Sequence, residues 1–270
     1  MSNFWQRTIT GIFFIGSILW SILEGPVLFQ AVFLLVSLFS LHEFYRLIAK
    51  KDEVEPNRLL GMITGLFLYV VVSFDAILLE PLRWQQLIYP LFGSIFMAEL
   101  YRKKKQPFHN IAFTLTGILY TVLPFGLLSE IASFRDAYNP GILLGYFVLI
   151  WTSDTFAYLV GRKIGKNRLF ERISPKKSWE GSIGGALAAT AMAWLLSRFY
   201  PDVELWIWMV MAAIIVTTGT LGDLTESLLK RSLNVKDSGN ILPGHGGLLD
   251  RFDAILLSAP FVWAFLSLLS

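Results

Sequence analysis

The 270-residue chain has no cysteine and only three histidines. That excludes a disulfide framework and any thiolate metal site, and it disfavours zinc. Charge is scarce too. Asp, Glu, Lys and Arg make up 16% of the residues, against about 25% in an ordinary soluble domain. Hydrophobic residues fill the space, at 54%, and the mean hydropathy is +0.57. A disordered chain needs the opposite balance. The apolar residues arrive in long blocks, which a soluble domain has no use for. The net charge of +3 is small, and in such a chain it reflects topology, not nucleic-acid binding.

A helix that crosses a bilayer takes about 20 mostly apolar residues. Nine segments qualify: 8–23, 26–49, 59–79, 84–100, 109–133, 140–160, 181–199, 204–229 and 251–270. The expected fold is all-α, a polytopic integral membrane protein with about nine transmembrane helices. It falls into three stretches: 1–80 with the N-terminal helices, 81–160 with the middle ones, and 161–270 with the C-terminal helices and the catalytic loops. The first span lacks a small-x-small cleavage site and runs into the second through Leu23-Glu24-Gly25-Pro26, so it is read as retained. No internal repeat stands out.

Placement of the cations tests this count. With the N-terminus in the cytoplasm, the cytoplasmic regions hold Arg7, Arg46, Lys50, Lys51, Arg58 and the run 102–105. They also hold the seven cations between Arg162 and Lys177, and then Lys230, Arg231, Lys236 and Arg251. Only Arg83, Arg135 and Arg198 fall on the other side. Twenty of 23 basic residues thus obey the positive-inside rule. The two longest loops, after spans six and eight, are also cytoplasmic, so chemistry is expected at that face.

Acids inside spans are costly and face a protein interior or a water-filled cavity. Asp154 lies about 12 Å along its helix from Arg162. Asp223 and Glu226 are three residues apart and share a helix face, as do Asp250 and Asp253. Carboxylates beside many cations suit metal-assisted phosphate chemistry, with Mg²⁺ bridging carboxylate and phosphate oxygens. Gly244, Gly246 and Gly247 around His245 let backbone N–H groups approach an anion. The segment Gly161 to Lys166 is not a P-loop, having three residues between its glycines where four are needed. For the Ser174-Pro175-Lys176-Lys177-Ser178-Trp179-Glu180-Gly181 cluster, a plain positive-inside loop and a ligand-binding loop remain equally open. Gly181 and Gly185 form a close-packing pair. Glu43, Glu99 and the run 102–105 read as interfacial anchors, the run also as an attractor of anionic lipid.

The segment Ser227 to Asp253 resembles the signature of the phosphatidate cytidylyltransferases. It includes Ser227-Leu228-Leu229-Lys230-Arg231, Lys236-Asp237, and Leu242-Pro243-Gly244-His245-Gly246-Gly247-Leu248-Leu249-Asp250-Arg251-Phe252-Asp253. It departs nowhere from that pattern. The stretch Trp151 to Tyr158 and the Ser174–Gly181 cluster are similar to the same family. The resemblance implies a reaction: CTP and phosphatidic acid give CDP-diacylglycerol and pyrophosphate. It implies Mg²⁺, which a monovalent cation such as K⁺ can accompany, a homodimer, and an inner (plasma) membrane location with the N-terminus and active site cytoplasmic. The expected metal ligands are Asp223 and Asp250, with Asp253, Glu226 and Asp154 as further ligands or orienters. Asp154 is expected beside the substrates. Lys230, Arg231, Lys236 and Arg251 would bind phosphates, and His245 would steady the leaving pyrophosphate. Lys176, Lys177, Ser178, Ser227 and the backbone of Gly244, Gly246 and Gly247 would hold CTP or the lipid headgroup. Three rivals remain: a CTP-dependent isoprenoid kinase, a secondary transporter and a non-catalytic scaffold.

Overall fold

The computed structural model describes residues 3–51, 53–75, 83–135, 137–239, 241 and 246–269. Helix α1 spans Asn3–Glu24 and α2 spans Pro26–Ile48, with Gly25 between them at φ 131°. Only a residue without Cβ takes that angle readily, and Pro26 then starts α2 where its missing N–H does no harm. Next come α3 (Arg58–Asp75), a 3₁₀ turn (Arg83–Leu87) and α4 (Ile88–Arg102). Helix α5 (Pro107–Gly117), a π turn (Ile118–Val122) and α6 (Leu123–Ala132) form one continuous rod. Pro124 has no N–H to offer the carbonyl four residues earlier, which is a physical reason for the ladder to widen here. The chain ends with α7 (Pro140–Ile164), α8 (Trp179–Phe199), α9 (Leu205–Ser232) and α10 (Leu249–Ser267).

Nine helical rods among the described residues therefore stand where nine spans were expected. Four rods are long and apolar enough to cross a membrane on those grounds alone: Pro26–Ile48, Pro107–Ala132, Pro140–Ile164 and Leu205–Ser232. Thr8–Glu24 and Arg58–Ser73 are shorter apolar helices. One feature departs from the all-helical expectation. Strands β1 (Arg168–Phe170) and β2 (Ser174–Ser178) pair antiparallel inside the loop after α7, with Arg168 opposite Ser178. A two-stranded ribbon has only edges, so Pro175 can sit in β2 without breaking a ladder.

Aromatic rings bind the helices at the centre. Phe252 of α10 lies 5.1 Å from Phe125 of α6, 6.1 Å from Phe33 of α2 and 5.5 Å from Phe14 of α1. Phe147 of α7 closes the set at 6.0 Å from Phe33. Edge-to-face and tilted ring pairs at these distances contribute beyond their buried area. Because Phe252 sits between Arg251 and Asp253, this hub also fixes the acidic start of α10. Helices α7 and α8 pack through the expected small residues. A Cβ on Gly181 or Gly185 would fall 2.7 Å from the carbonyl oxygen of Ala157 or Ser153 respectively. The pair is a packing device, as its spacing suggests.

Candidate active site

Three helices, α7, α9 and α10, deliver acids to a common region, and the structure sorts them into two groups. The first gathers Asp154 of α7, Asp223 of α9 and Asp253 of α10, whose charges interact with one another. Lys177, at the end of β2, reaches in. Its Nζ lies 2.5 Å from Asp223 Oδ2, and it also donates to the Thr220 carbonyl at 3.5 Å. Ser227, one turn after Asp223, donates its hydroxyl to Asp223 Oδ1 at 3.3 Å. Asp253 Oδ1 accepts the Ala254 N–H at 2.7 Å. Asp154 is exposed, and Asp223 and Asp253 are half-buried, so this group opens outward.

The second group is closed. Lys230 of α9 is its ammonium, with a side chain 13% exposed. It ion-pairs with Glu226 one turn earlier and with Asp250 Oδ1 at 2.6 Å. Asp250 Oδ2 accepts three donors from the signature loop: Ser238 N–H and Oγ, each at 2.9 Å, and Gly247 N–H at 3.2 Å. A carboxylate with donors on both oxygens is a strong tie. The loop is thus held to the first turn of α10 by its own aspartate.

The remaining expected residues fall around these groups. Arg231, Lys236, Arg251 and Lys176 are exposed. Gly246 has φ +84°, and Gly247 is buried. Ser178 is buried at 3%. Its Oγ accepts the Gly181 N–H at 3.2 Å, so it caps α8 and that acceptor has a structural task. His245 and Gly244 lie outside the described residues.

The hairpin that carries Lys176 and Lys177 is anchored from α8. Glu180 accepts the Lys166 N–H at 3.1 Å, the Asn167 N–H at 3.1 Å and the Asn167 side-chain amide at 2.7 Å. Its own backbone N–H, and then those of Asn167 and Lys166, hold its carboxyl down at about 2, because donors aimed at a carboxylate favour the charged form.

Two residues of the site were not foreseen, and one group of expectations is corrected. Glu43 is not an interfacial anchor: it is 2% exposed, and its Oε2 accepts the Leu249 N–H at 3.1 Å. Glu99 is likewise buried, at 6%, bound by Arg102 at 2.6 Å and Asn110 at 2.7 Å. Lys104 and Lys105 pair with Glu55 and Glu53 at 2.9 and 2.5 Å, so much of that run's charge is met within the chain. Tyr120, carried by the π turn, has a buried hydroxyl without a hydrogen-bond partner among the described residues. It lies within electrostatic reach of Glu226, Asp253 and Asp223. Nothing in its sequence context marks it. For Glu43 a signal exists: Ser37, Ser40 and Glu43 recur every three residues along one helix ridge, and all three are buried.

Among the described residues, no three His, Cys, Asp or Glu side chains converge closely enough to hold a metal on their own. Mg²⁺ does not require that, since one or two carboxylates suffice when substrate phosphates complete the shell. The all-oxygen donors of the first group fit this chemistry. The ammonium of Lys177 against Asp223 shows that the place accepts positive charge. What the arrangement can do is hold polyphosphate among cations while carboxylates face it at one end of α9 and α10.

Residues 5–269 match the cytidylyltransferase family. A phosphatidate cytidylyltransferase of Staphylococcus epidermidis (strain ATCC 35984) is 33% identical over 264 residues, covering 95% of this chain and 96% of the relative. That of Bacillus subtilis (strain 168) is 31% identical over 270 residues, covering 98% of each. That of Rickettsia bellii (strain RML369-C) is 33% identical over 221 residues, covering 79% of this chain and 92% of the relative. With a family match over nearly every residue and relatives 31–33% identical across almost the whole chain, the chain belongs to the cytidylyltransferase family.

Proposed function

We propose that this chain transfers the cytidylyl group of CTP to phosphatidic acid, giving CDP-diacylglycerol and pyrophosphate. An oxygen of the lipid phosphate attacks the α-phosphorus of CTP. The bond from that phosphorus to the oxygen bridging to the β-phosphorus breaks, and pyrophosphate leaves. The observation that carries this reading is the convergence of Asp154, Lys177, Asp223 and Asp253 from α7, β2, α9 and α10, next to the glycine-containing loop fastened by Asp250.

Such a transfer needs alignment and charge neutralisation more than covalent help. Arg231, Lys236, Arg251 and Lys176 are placed to meet phosphate oxygens, and the backbone around Gly246 to line the nucleotide phosphates; the Gly247 N–H stays with Asp250. Asp223 would hold Mg²⁺, with Asp253 facing it and Asp250 one turn earlier on the same face of α10. Glu226 stays with Lys230. Bound there, the metal would neutralise charge on the phosphates, with K⁺ as a candidate companion. Lys177 orients Asp223 and, as phosphate arrives, can exchange that carboxylate for a phosphate oxygen.

In this reading the protein is a homodimer in the inner (plasma) membrane, with the N-terminus and the active-site loops facing the cytoplasm. The test is turnover by purified protein with α-labelled CTP and phosphatidic acid, with and without Mg²⁺. Label should enter the lipid and pyrophosphate should be released, only with the divalent ion. Release of CDP with an isoprenoid alcohol in place of phosphatidic acid would overturn the reading in favour of a kinase. Flux without CTP consumption would favour a transporter.

A further inference from the structure

We propose that Glu43 is a positioning residue for this reaction: from α2, its buried carboxylate seats the signature loop on the first turn of α10 and so fixes the backbone N–H groups that face CTP. The inference rests on the reaction proposed above.

Glu43 is 2% exposed and makes no ion pair among the described residues. The nearby ammonium, Lys230, is bound to Glu226 and Asp250. A buried carboxylate without a cation is expensive, so its place needs a reason. Helix α10 supplies one. Its first N–H groups have no partner within the helix, and no local side chain caps it. Glu43, 206 positions away in the chain, accepts the Leu249 N–H at 3.1 Å, and a carboxylate at a helix N-terminus is also favoured by the helix dipole.

The loop is shaped to receive that carboxylate. A Cβ on Gly239 or on Gly247 would overlap the Glu43 carboxylate. Ser238 sits between: its hydroxyl lies 2.9 Å from Asp250 Oδ2 and is also within reach of the Glu43 carboxylate. The loop is therefore held between two acids. Asp250 grips it from α10 through Ser238 and Gly247, and Glu43 abuts it from α2 through Gly239, Gly247 and Leu249. Removing Glu43 leaves one grip of two.

The experiment uses full-length enzyme in detergent, with each substrate varied in turn. Glu43→Ala should lower kcat/KM for CTP about ten- to hundred-fold, the cost usual for losing a supporting partner of a site, while KM for phosphatidic acid stays within about twofold. Glu43→Gln keeps an oxygen for the Leu249 N–H and should recover most of the loss. Gly239→Ala pushes from the other side and should reproduce the CTP-selective defect. Wild-type kcat/KM for CTP in Glu43→Ala, equal rises in both KM values, or a Gln variant as poor as Ala would each overturn the proposal. If Glu43→Ala does not fold, Gly239→Ala and Glu43→Gln decide it, and a normal CTP KM in Gly239→Ala sinks it. Hydrogen exchange at the Leu249 amide reads the seat without turnover. Faster exchange in Glu43→Ala supports it and unchanged exchange removes it, even if the wild-type enzyme proved to catalyse another reaction.

Discussion

Lys230 carries two carboxylates in a closed pocket, and its removal is the most damaging single change the site offers. Glu226 and Asp250 have side chains 1% and 10% exposed. Lys230→Met would leave both without their cation. Stripping one partner from a buried pair costs about 3–5 kcal/mol, and thermal unfolding in detergent should show a loss of that order. Glu226→Gln should cost less, since Lys230 keeps Asp250; equal losses would mean that Glu226 is the dominant partner. Asp223 sits in the open group, so Asp223→Asn should leave stability nearly unchanged and lower turnover about ten- to hundred-fold, measured as CDP-diacylglycerol formed per minute. The acids of both groups were legible in the sequence because charge in an apolar span is rare enough to be conspicuous. Their division into two groups was not. It depends on which ammonium each carboxylate meets: Lys230 and Glu226 are four apart on α9, but Lys177–Asp223 and Lys230–Asp250 join separate elements, pairings that spacing alone does not encode.

At the scale of elements, two joints hold the site. The first is the α7–α8 contact, where Gly185 meets the Ser153 carbonyl. Gly185→Val would force the helices apart and carry Asp154 away from Lys177. Overpacking of this kind costs about 1–3 kcal/mol, and activity should fall further than stability does. The second joint is Glu180, which ties the start of the hairpin to α8. Its carboxyl is held down at about 2, so its contribution is fully present above the ordinary value of 4.5 and is lost as pH falls through about 2. Hydrogen exchange of the Lys166 and Asn167 amides should therefore stay slow, relative to the intrinsic rate, down to pH 4 and speed up below pH 3. Glu180→Gln should flatten that dependence. Helix existence was readable from hydropathy, but helix ends were not. Span six was expected to stop at 160, yet α7 runs to Ile164, because the hydrogen-bond ladder continues past the point where apolar composition ends. The hairpin escaped notice because its strands are short, polar and interrupted by Pro175.

For the whole molecule, the scarcity of charge and the lack of cysteine together make topology testable. Interior packing of the nine rods follows from apolar runs of the right length, and their number agrees with the expected spans. Orientation does not follow from packing; it rests on the bias of twenty cations toward one face. A chain without native cysteine lets each introduced thiol report alone. Lys104, Asp202 and Asp237 are exposed and lie in three different connections. Three rods separate Lys104 from Asp202, and four separate it from Asp237. With the active site cytoplasmic, Asp202→Cys should react with a membrane-impermeant maleimide on intact cells. Lys104→Cys and Asp237→Cys should react only after permeabilisation. The reverse pattern would invert the protein and place the carboxylates away from cytoplasmic CTP. Labelling of Lys104→Cys and Asp237→Cys from different sides would break the span count between them, because only an even number of crossings returns the chain to the leaflet it left.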